Sequence, residues 1–113
     1  MEDSVENKPG GKQPTRRDPS FQMTVQDVFA IRGRGTVVTG RIERGTVRVG
    51  DGVEVSRQNG ALKTLVTAVE RFHKQLDEAR AGDYVGVFLR DVDKDDVHRG
   101  DQLMGAALDL GSG

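Results

Sequence analysis

The sequence predicts an all-β domain, either a sandwich or a barrel, from two observations. Short runs rich in β-branched residues begin at about residue 21, and turns that carry glycine separate most of them. Many short strands with turn residues between them are typical of these two architectures. The predicted strands are Met23–Ile31, Thr36–Ile42, Val53–Val55, Leu65–Phe72 and Tyr84–Leu89.

The segment before the first run differs in composition. Residues 1–19 are polar, contain all 3 prolines of the chain and offer little to bury beyond Met1 and Val5. Ordering such a segment costs backbone entropy without apolar burial to offset it. We therefore predict a disordered tail over residues 1–19, one β domain over residues 20–107 and a frayed end over residues 108–113.

Tyr84–Leu89 is the most informative of the predicted strands. Because successive side chains point to opposite faces, its three aliphatic residues share one face, and Tyr84, Gly86 and Phe88 share the other. Both faces are largely apolar, which is expected where one side lies in a core and the other is covered or functional.

Three segments indicate how the strands connect. Asn59-Gly60 predicts a hairpin with a type I′ turn, whose two central residues both need φ > 0. Phe72–Arg80 contains helix formers but only a thin apolar stripe, and Asp91–His98 is long enough for a single turn. We interpret both as connectors within a β fold, with one helical turn each.

The bulk composition excludes several classes of protein. Lys and Arg (17) nearly balance Asp and Glu (18), so the formal net charge of −1 gives no overall attraction to a polyanion. The chain has no cysteine, which excludes disulfides, thiolate nucleophiles and cysteine-based metal sites. No apolar run approaches the roughly 20 residues of a membrane-spanning helix. We expect a soluble cytoplasmic protein without a membrane contact.

The sequence lacks the motifs of catalysis and cofactor binding. Its Gly-Lys pair, Gly11-Lys12, has none of the other residues of a phosphate-binding loop. The acidic turn that begins at Asp91 lacks the glycine and glutamate that complete a calcium loop. His73 and His98 are too few for a metal centre of three or four ligands. We therefore predict no enzyme activity, no bound nucleotide, no metal and no cofactor.

Five arginines within seventeen residues form the densest cluster of charge in the sequence. Arginine suits bidentate contacts with phosphate and stacking on bases. If residues 36–44 form a strand, however, Arg41 and Arg44 lie on opposite faces, so the group makes no simple stripe. The pattern leaves open both solvated strand ends and an RNA contact. These residues are Arg32, Arg34, Arg41, Arg44 and Arg48.

The segment Val28–Gly45 carries a resemblance to a known family. It contains the continuous sequence GRGTVVTGR, from Gly33 to Arg41. Together with later segments, it resembles the second domain of elongation factor Tu and related translational GTPases, from about residue 21 to about residue 104. The later segments are Val47–Asp51, Val69–Lys74, Leu76–Val87, Leu89–Arg90 and Arg99–Asp101.

The resemblance implies a small closed antiparallel β-barrel of six or seven strands. In the intact factor this domain helps to hold the aminoacyl end of transfer RNA and touches the small ribosomal subunit. By resemblance, Gly33, Arg34 and Gly35 form a turn that approaches ribosomal RNA, and Glu70 faces the sugar or base of the 3′ adenosine. The residues expected around the aminoacylated end are Gln26, Asp27, Phe29, Thr39, Glu70, His73 and Tyr84.

Three of these residues depart from the family pattern. Gln26 replaces an acidic residue, Tyr84 replaces an asparagine and His73 replaces a basic residue. One hypothesis is therefore a translation-associated module that binds transfer RNA or ribosomal RNA. A second is a protein–protein interaction module that keeps the fold without RNA binding, and a third is a remnant or excised fragment of a translational GTPase. We expect a monomer in each case.

Overall fold

The computed structural model describes residues 14–109 of the 113-residue chain. Within this range the chain forms ten β-strands and one turn of 3-10 helix, Lys94–Asp96. The strands are β1 (Gln22–Thr24), β2 (Asp27–Ile31), β3 (Gly35–Arg44), β4 (Thr46–Arg48), β5 (Gly52–Ser56), β6 (Leu62–Arg71), β7 (Lys74–Leu76), β8 (Glu78–Arg80), β9 (Tyr84–Leu89) and β10 (Gln102–Gly105).

Six of the strands close into an antiparallel barrel. Their order is β1-β10-β5-β6-β9-β3, and β1 pairs with β3 as well as with β10, which joins the two ends of the sheet. Two strands extend the sheet outside this ring, β2 on β3 and β7 on β6, while β4 and β8 form a separate ribbon. The predicted all-β class and closed barrel are therefore confirmed.

The barrel core comes from the alternation of side chains along the strands. Val38, Val87 and Val69 lie directly opposite one another on β3, β9 and β6, and all three are fully buried. Burying one such side chain stabilises the fold by about 1.5–3 kcal/mol. Leu103 on β10 and Val53 on β5 complete the same core from the opposite wall.

The long run predicted as Met23–Ile31 is divided in the structure between β1 and β2. The break falls at Val25, whose N–H donates to the Asp101 carbonyl (2.9 Å) and whose carbonyl accepts from the Gly100 N–H (2.9 Å). These bonds to a loop replace the ladder bonds that a continuous strand would make.

Phe72–Arg80 was predicted as a connector with a helical turn, and this prediction is wrong. The segment forms β7 and β8, which pair with β6 and β4. Three-residue strands are too short to show a period-2 pattern, and here the pairing partners decide the conformation. The second predicted connector, Asp91–His98, does contain a single helical turn. No helix in residues 14–109 is long and apolar enough to cross a membrane.

The two hairpins that flank β6 also differ from expectation. The β5–β6 hairpin exists, but its connection has five residues and only Gly60 has a positive φ (+109°). Its Gly60 N–H donates to the Arg57 carbonyl (3.3 Å), so Asn59-Gly60 does not form the predicted type I′ turn. The two-residue turn with both φ angles positive lies instead between β6 and β7, at Phe72 (+52°) and His73 (+65°).

Both ends of the described chain run along the barrel and pair with each other. Pro14 and Asp109 form a β-bridge, the Thr15 N–H donates to the Leu108 carbonyl (2.9 Å), and the Leu108 N–H donates to Thr15 Oγ1 (2.9 Å). These bonds involve residues that the composition assigned to loose ends, and the domain boundaries at residues 19 and 107 stay a prediction. The rest of both predicted ends, residues 1–13 and 110–113, lies outside the described range.

Asp18 fixes the segment that leads into β1. Its carboxylate accepts hydrogen bonds from the Ser20 hydroxyl (2.7 Å), the Ser20 N–H (2.9 Å) and the Thr46 N–H (2.9 Å). The bonds from Ser20, and then the one from Thr46, hold the pKa of Asp18 below its ordinary value. The segment is thereby tied to β4.

Candidate functional site

Three of the predicted site residues meet in one row on the outside of the barrel. We call the outward side of β2, β3, β9 and β6 the outer face. On it, Asp27, Thr39, Gly86 and Glu70 lie directly opposite one another in successive strands. With neighbouring strands about 4.8 Å apart, this polar row spans roughly 14 Å. Asp27 and Glu70, which are 43 positions apart in the sequence (70 − 27), are thus brought into one row by register alone.

A second row on the outer face is apolar. Its members are cross-strand neighbours, and each lies two residues from the polar row on its own strand. They are Phe29, Val37, Phe88 and Ala68. Phe29 is 51% exposed, whereas Phe88 is only 2% exposed although it points away from the barrel core. The outer face therefore has an apolar floor with one accessible aromatic ring at its β2 side.

Gly86 leaves a gap in the middle of the polar row. A Cβ atom at this position would lie 3.1 Å from Val37 Cγ2 and 3.8 Å from Thr39 Cγ2. The absence of a side chain keeps the row open between Thr39 and Glu70. A flat group that approaches the outer face can therefore reach the backbone of β9.

Arg34 covers the part of the apolar row that Phe88 occupies. Its guanidinium carbon lies 4.1 Å from the centroid of the Phe88 ring, and its Nη2 lies 2.6 Å from Glu70 Oε2. The residue comes from the β2–β3 turn, where Gly33 (φ +80°) and Gly35 (φ +93°) flank it. The resemblance assigned Arg34 and Glu70 to two different sites, and in the structure their side chains are in contact.

The other carboxylate of the polar row also has an arginine partner. Arg99 Nη2 lies 2.8 Å from Asp27 Oδ1. Gln26 is exposed just before β2, and its N–H donates to the Thr39 carbonyl (2.7 Å). The sequence did not identify Arg99 as a site residue, since it lies 72 positions from its partner and the resemblance, although it includes Arg99–Asp101, assigns no role to Arg99.

Aromatic residues continue the outer face beyond the polar row. Tyr84, next to Gly86 on its own face of β9, is 46% exposed. Phe72, two residues beyond Glu70, is 83% exposed, and the Arg71 guanidinium carbon lies 5.5 Å from its ring centroid. His73 is exposed at the tip of the same turn, outside both rows. Phe72 was missed as a site residue because its aromatic side chain was counted as part of a strand.

The side chains of the outer face are of kinds that bind ligands. The outer face combines an apolar floor, aromatic rings, a hydroxyl and two carboxylates, each carboxylate within contact of an arginine. Such groups stack on planar ligands and exchange hydrogen bonds with them. Within residues 14–109 no cluster of three or more His, Cys, Asp or Glu side chains could hold a metal ion.

A separate groove lies beside the β5–β6 turn. Its volume is about 760 Å³. Its polar lining includes two basic side chains, Arg57 and Arg99, and three acidic ones, Asp95, Asp96 and Asp101. These opposite charges favour no single class of ligand. We therefore regard the outer face, where aromatic and polar groups converge, as the candidate site.

A closed six-stranded antiparallel barrel defines a small all-β domain. Residues 35–104, more than half of the chain, match the family described as "Elongation factor Tu domain 2". The chain belongs to this family, and the translation-factor domain expected from the resemblance is confirmed. Thr39, Glu70, His73 and Tyr84 lie inside the matched range, whereas the β2 residues of the outer face precede it.

Proposed function

We propose that this chain is a non-catalytic module that binds the single-stranded end of an RNA on its outer face. The acceptor end of transfer RNA is the first candidate, and small-subunit ribosomal RNA at the Gly33–Gly35 turn is the second. The observation that carries the proposal is the cross-strand row Asp27–Thr39–Gly86–Glu70 beside an apolar floor on which the Phe29 ring is exposed. RNA ends are recognised in this way, by stacked bases and by hydrogen bonds to the ribose hydroxyls.

Each part of the outer face has a task in this proposal. The exposed ring of Phe29 supplies a stacking surface, and base–aromatic stacking contributes about 1–3 kcal/mol per base. Thr39 and Glu70 offer hydrogen-bonding groups to a ribose or to an amino group. The affinity is weak and falls with added salt, since phosphate contacts release counterions and the net charge of the chain is only −1.

A protein partner is a second candidate because β2 is the outermost strand of its sheet. It pairs with β3 alone, and Phe29 and Ile31 on it are exposed. The strand contains neither lysine nor proline, the residues that usually protect an edge. An extended segment of another protein can pair with such an edge by strand addition.

The RNA proposal is tested by NMR titration of the labelled chain at low salt. The ligands are a trinucleotide ending in CCA, an aminoacylated acceptor minihelix and the same minihelix without the amino acid. We expect shifts of the Gly86 and Glu70 amides. Phe29→Ala should weaken binding roughly 5- to 150-fold, the range that stacking predicts.

Val49→Ala is the matched control, because Val49 is another exposed apolar residue, lies on none of the four strands of the outer face, and borders it only at Ala68, the end of the apolar row away from Phe29. It should leave the affinity unchanged. If none of the three RNAs shifts an outer-face resonance, the RNA proposal is wrong. Protection of β2 amides from hydrogen exchange by a protein ligand would then support the second candidate.

A further inference from the structure

The space between Phe88 and Glu70 on the outer face is filled by the chain itself. The planar guanidinium of Arg34 lies 4.1 Å from the Phe88 ring centroid and makes an ion pair of 2.6 Å with Glu70. The guanidinium thus stacks on an outward-pointing phenylalanine that is only 2% exposed. A planar group with N–H donors thus already stacks on the ring and donates to the carboxylate.

A nucleobase with an exocyclic amino group has the same chemistry. It is planar, it stacks on aromatic rings, and its amino group donates hydrogen bonds. We infer that Arg34 is an internal occupant of a nucleobase slot formed by Phe88 and Glu70, so that base binding requires the Arg34 side chain to leave. This inference rests on the proposed function and adds a gate to the same site.

The position of Arg34 in the chain allows this exchange. Its side chain is 37% exposed, and it sits in a short turn between two glycines with positive φ. An ion pair with this exposure, together with one cation–π contact, competes only weakly with an entering base. While the slot holds no base, Arg34 keeps Phe88 covered and Glu70 partnered; when a base enters, the base takes over both contacts.

The slot also discriminates among bases. Adenine and cytosine present an exocyclic amino group, and uracil presents carbonyl oxygens in its place. A uracil oxygen directed at the Glu70 carboxylate would repel it. Adenosine and cytidine should therefore bind more tightly than uridine, and the preference should depend on Glu70.

The test uses neutral nucleosides, which carry no phosphate and release no counterions. Adenosine and uridine are titrated into the full chain and into Arg34→Ala, with NMR detection at Gly86 and Phe88. Removing the internal competitor should tighten adenosine binding by roughly 3- to 30-fold. Arg32→Ala, in the same turn, is the matched control and should leave the affinity unchanged.

Salt provides a second measurement that needs no substitution. Added salt screens the Arg34–Glu70 pair, so the unaltered chain should bind adenosine more tightly, by up to about 5-fold. Binding of a phosphate-bearing RNA should change in the opposite direction. The Arg34→Ala variant should lose the salt-induced increase for adenosine.

The outcomes separate the gate from the function on which it rests. Tighter adenosine binding by Arg34→Ala, with the loss of the salt effect, supports the gate. Unchanged or weaker adenosine binding by a folded Arg34→Ala chain overturns the gate, while RNA binding to the outer face would leave the proposed function standing. Failure of both adenosine and RNA to bind either chain overturns both.

Discussion

Strand β6 is joined to its two neighbours by hairpins whose turns contain different kinds of residue. On the β5 side, the positive φ angle falls on Gly60, which has no atom within 4 Å of a would-be Cβ. On the β7 side, positive φ angles fall on Phe72 and His73. Glycine adopts this region freely, whereas a residue with a Cβ is strained there by about 1–2 kcal/mol.

This difference between the two turns indicates which turn residues are present for reasons other than folding. Phe72 is 83% exposed, so burial does not offset the strain of its backbone. Strained residues of this kind cluster at binding sites, and Phe72 follows the end of β6 directly, two residues beyond Glu70 of the outer face. We interpret the β5–β6 turn as a folding device and the β6–β7 turn as a part of the binding surface.

The largest effect is expected at the relaxed turn. Gly60→Val should lower the free energy of unfolding by about 2 kcal/mol, because a β-branched residue at this φ is strained. Denaturant unfolding measures the change. Ala61→Val, at the adjacent residue with an ordinary φ, is the control and should change stability little. Equal losses in both variants would show that the turn does not depend on glycine.

The strained turn should respond in the opposite direction. Replacing Phe72-His73 by Asn-Gly, residues suited to a type I′ turn, should raise the free energy of unfolding by about 1–2 kcal/mol. The same variant should bind RNA more weakly, since an exposed aromatic ring is lost. Phe72→Leu keeps the backbone strain and should not be stabilised. Without a gain in the Asn-Gly variant, the contrast between the two turns fails.

A smaller effect is expected from the residue that supports the Phe72 ring. Arg71 lies against this ring and makes an ion pair of 2.9 Å with Asp83. Arg71→Met should lower stability by about 0.5 kcal/mol, because both contacts are exposed, and should shift the ring proton resonances of Phe72. Arg90→Met, with a looser pair of 3.6 Å to Asp91, is the control and should leave those resonances in place.

The fold was largely predictable because it depends on local patterns. The alternation in Tyr84–Leu89 correctly grouped Val85, Val87 and Leu89 on one face, which the structure places inside the barrel. Asn59-Gly60 correctly indicated a hairpin, but the turn type depends on the length of the connection, which a dipeptide does not specify. Phe72–Arg80 was misjudged because its helix formers were overruled by pairing with β6 and β4.

The candidate site was predictable only in part. Resemblance named Asp27, Thr39 and Glu70, which share a row, but their roles in binding stay predictions. The contact of Arg34 with both Glu70 and Phe88 depends on the register of β3, β9 and β6 and on the course of a turn. No local sequence pattern contains that information.

The pairing of residues 14 and 109 has a consequence for the modularity of the barrel. The described chain enters and leaves the structure side by side, through the Pro14–Asp109 bridge and the Thr15–Leu108 bonds. A unit with adjacent ends can be inserted into a surface loop of a host protein without separating the flanking strands. For the same reason, a short linker between these ends permits circular permutation, with new termini opened at the exposed β5–β6 turn.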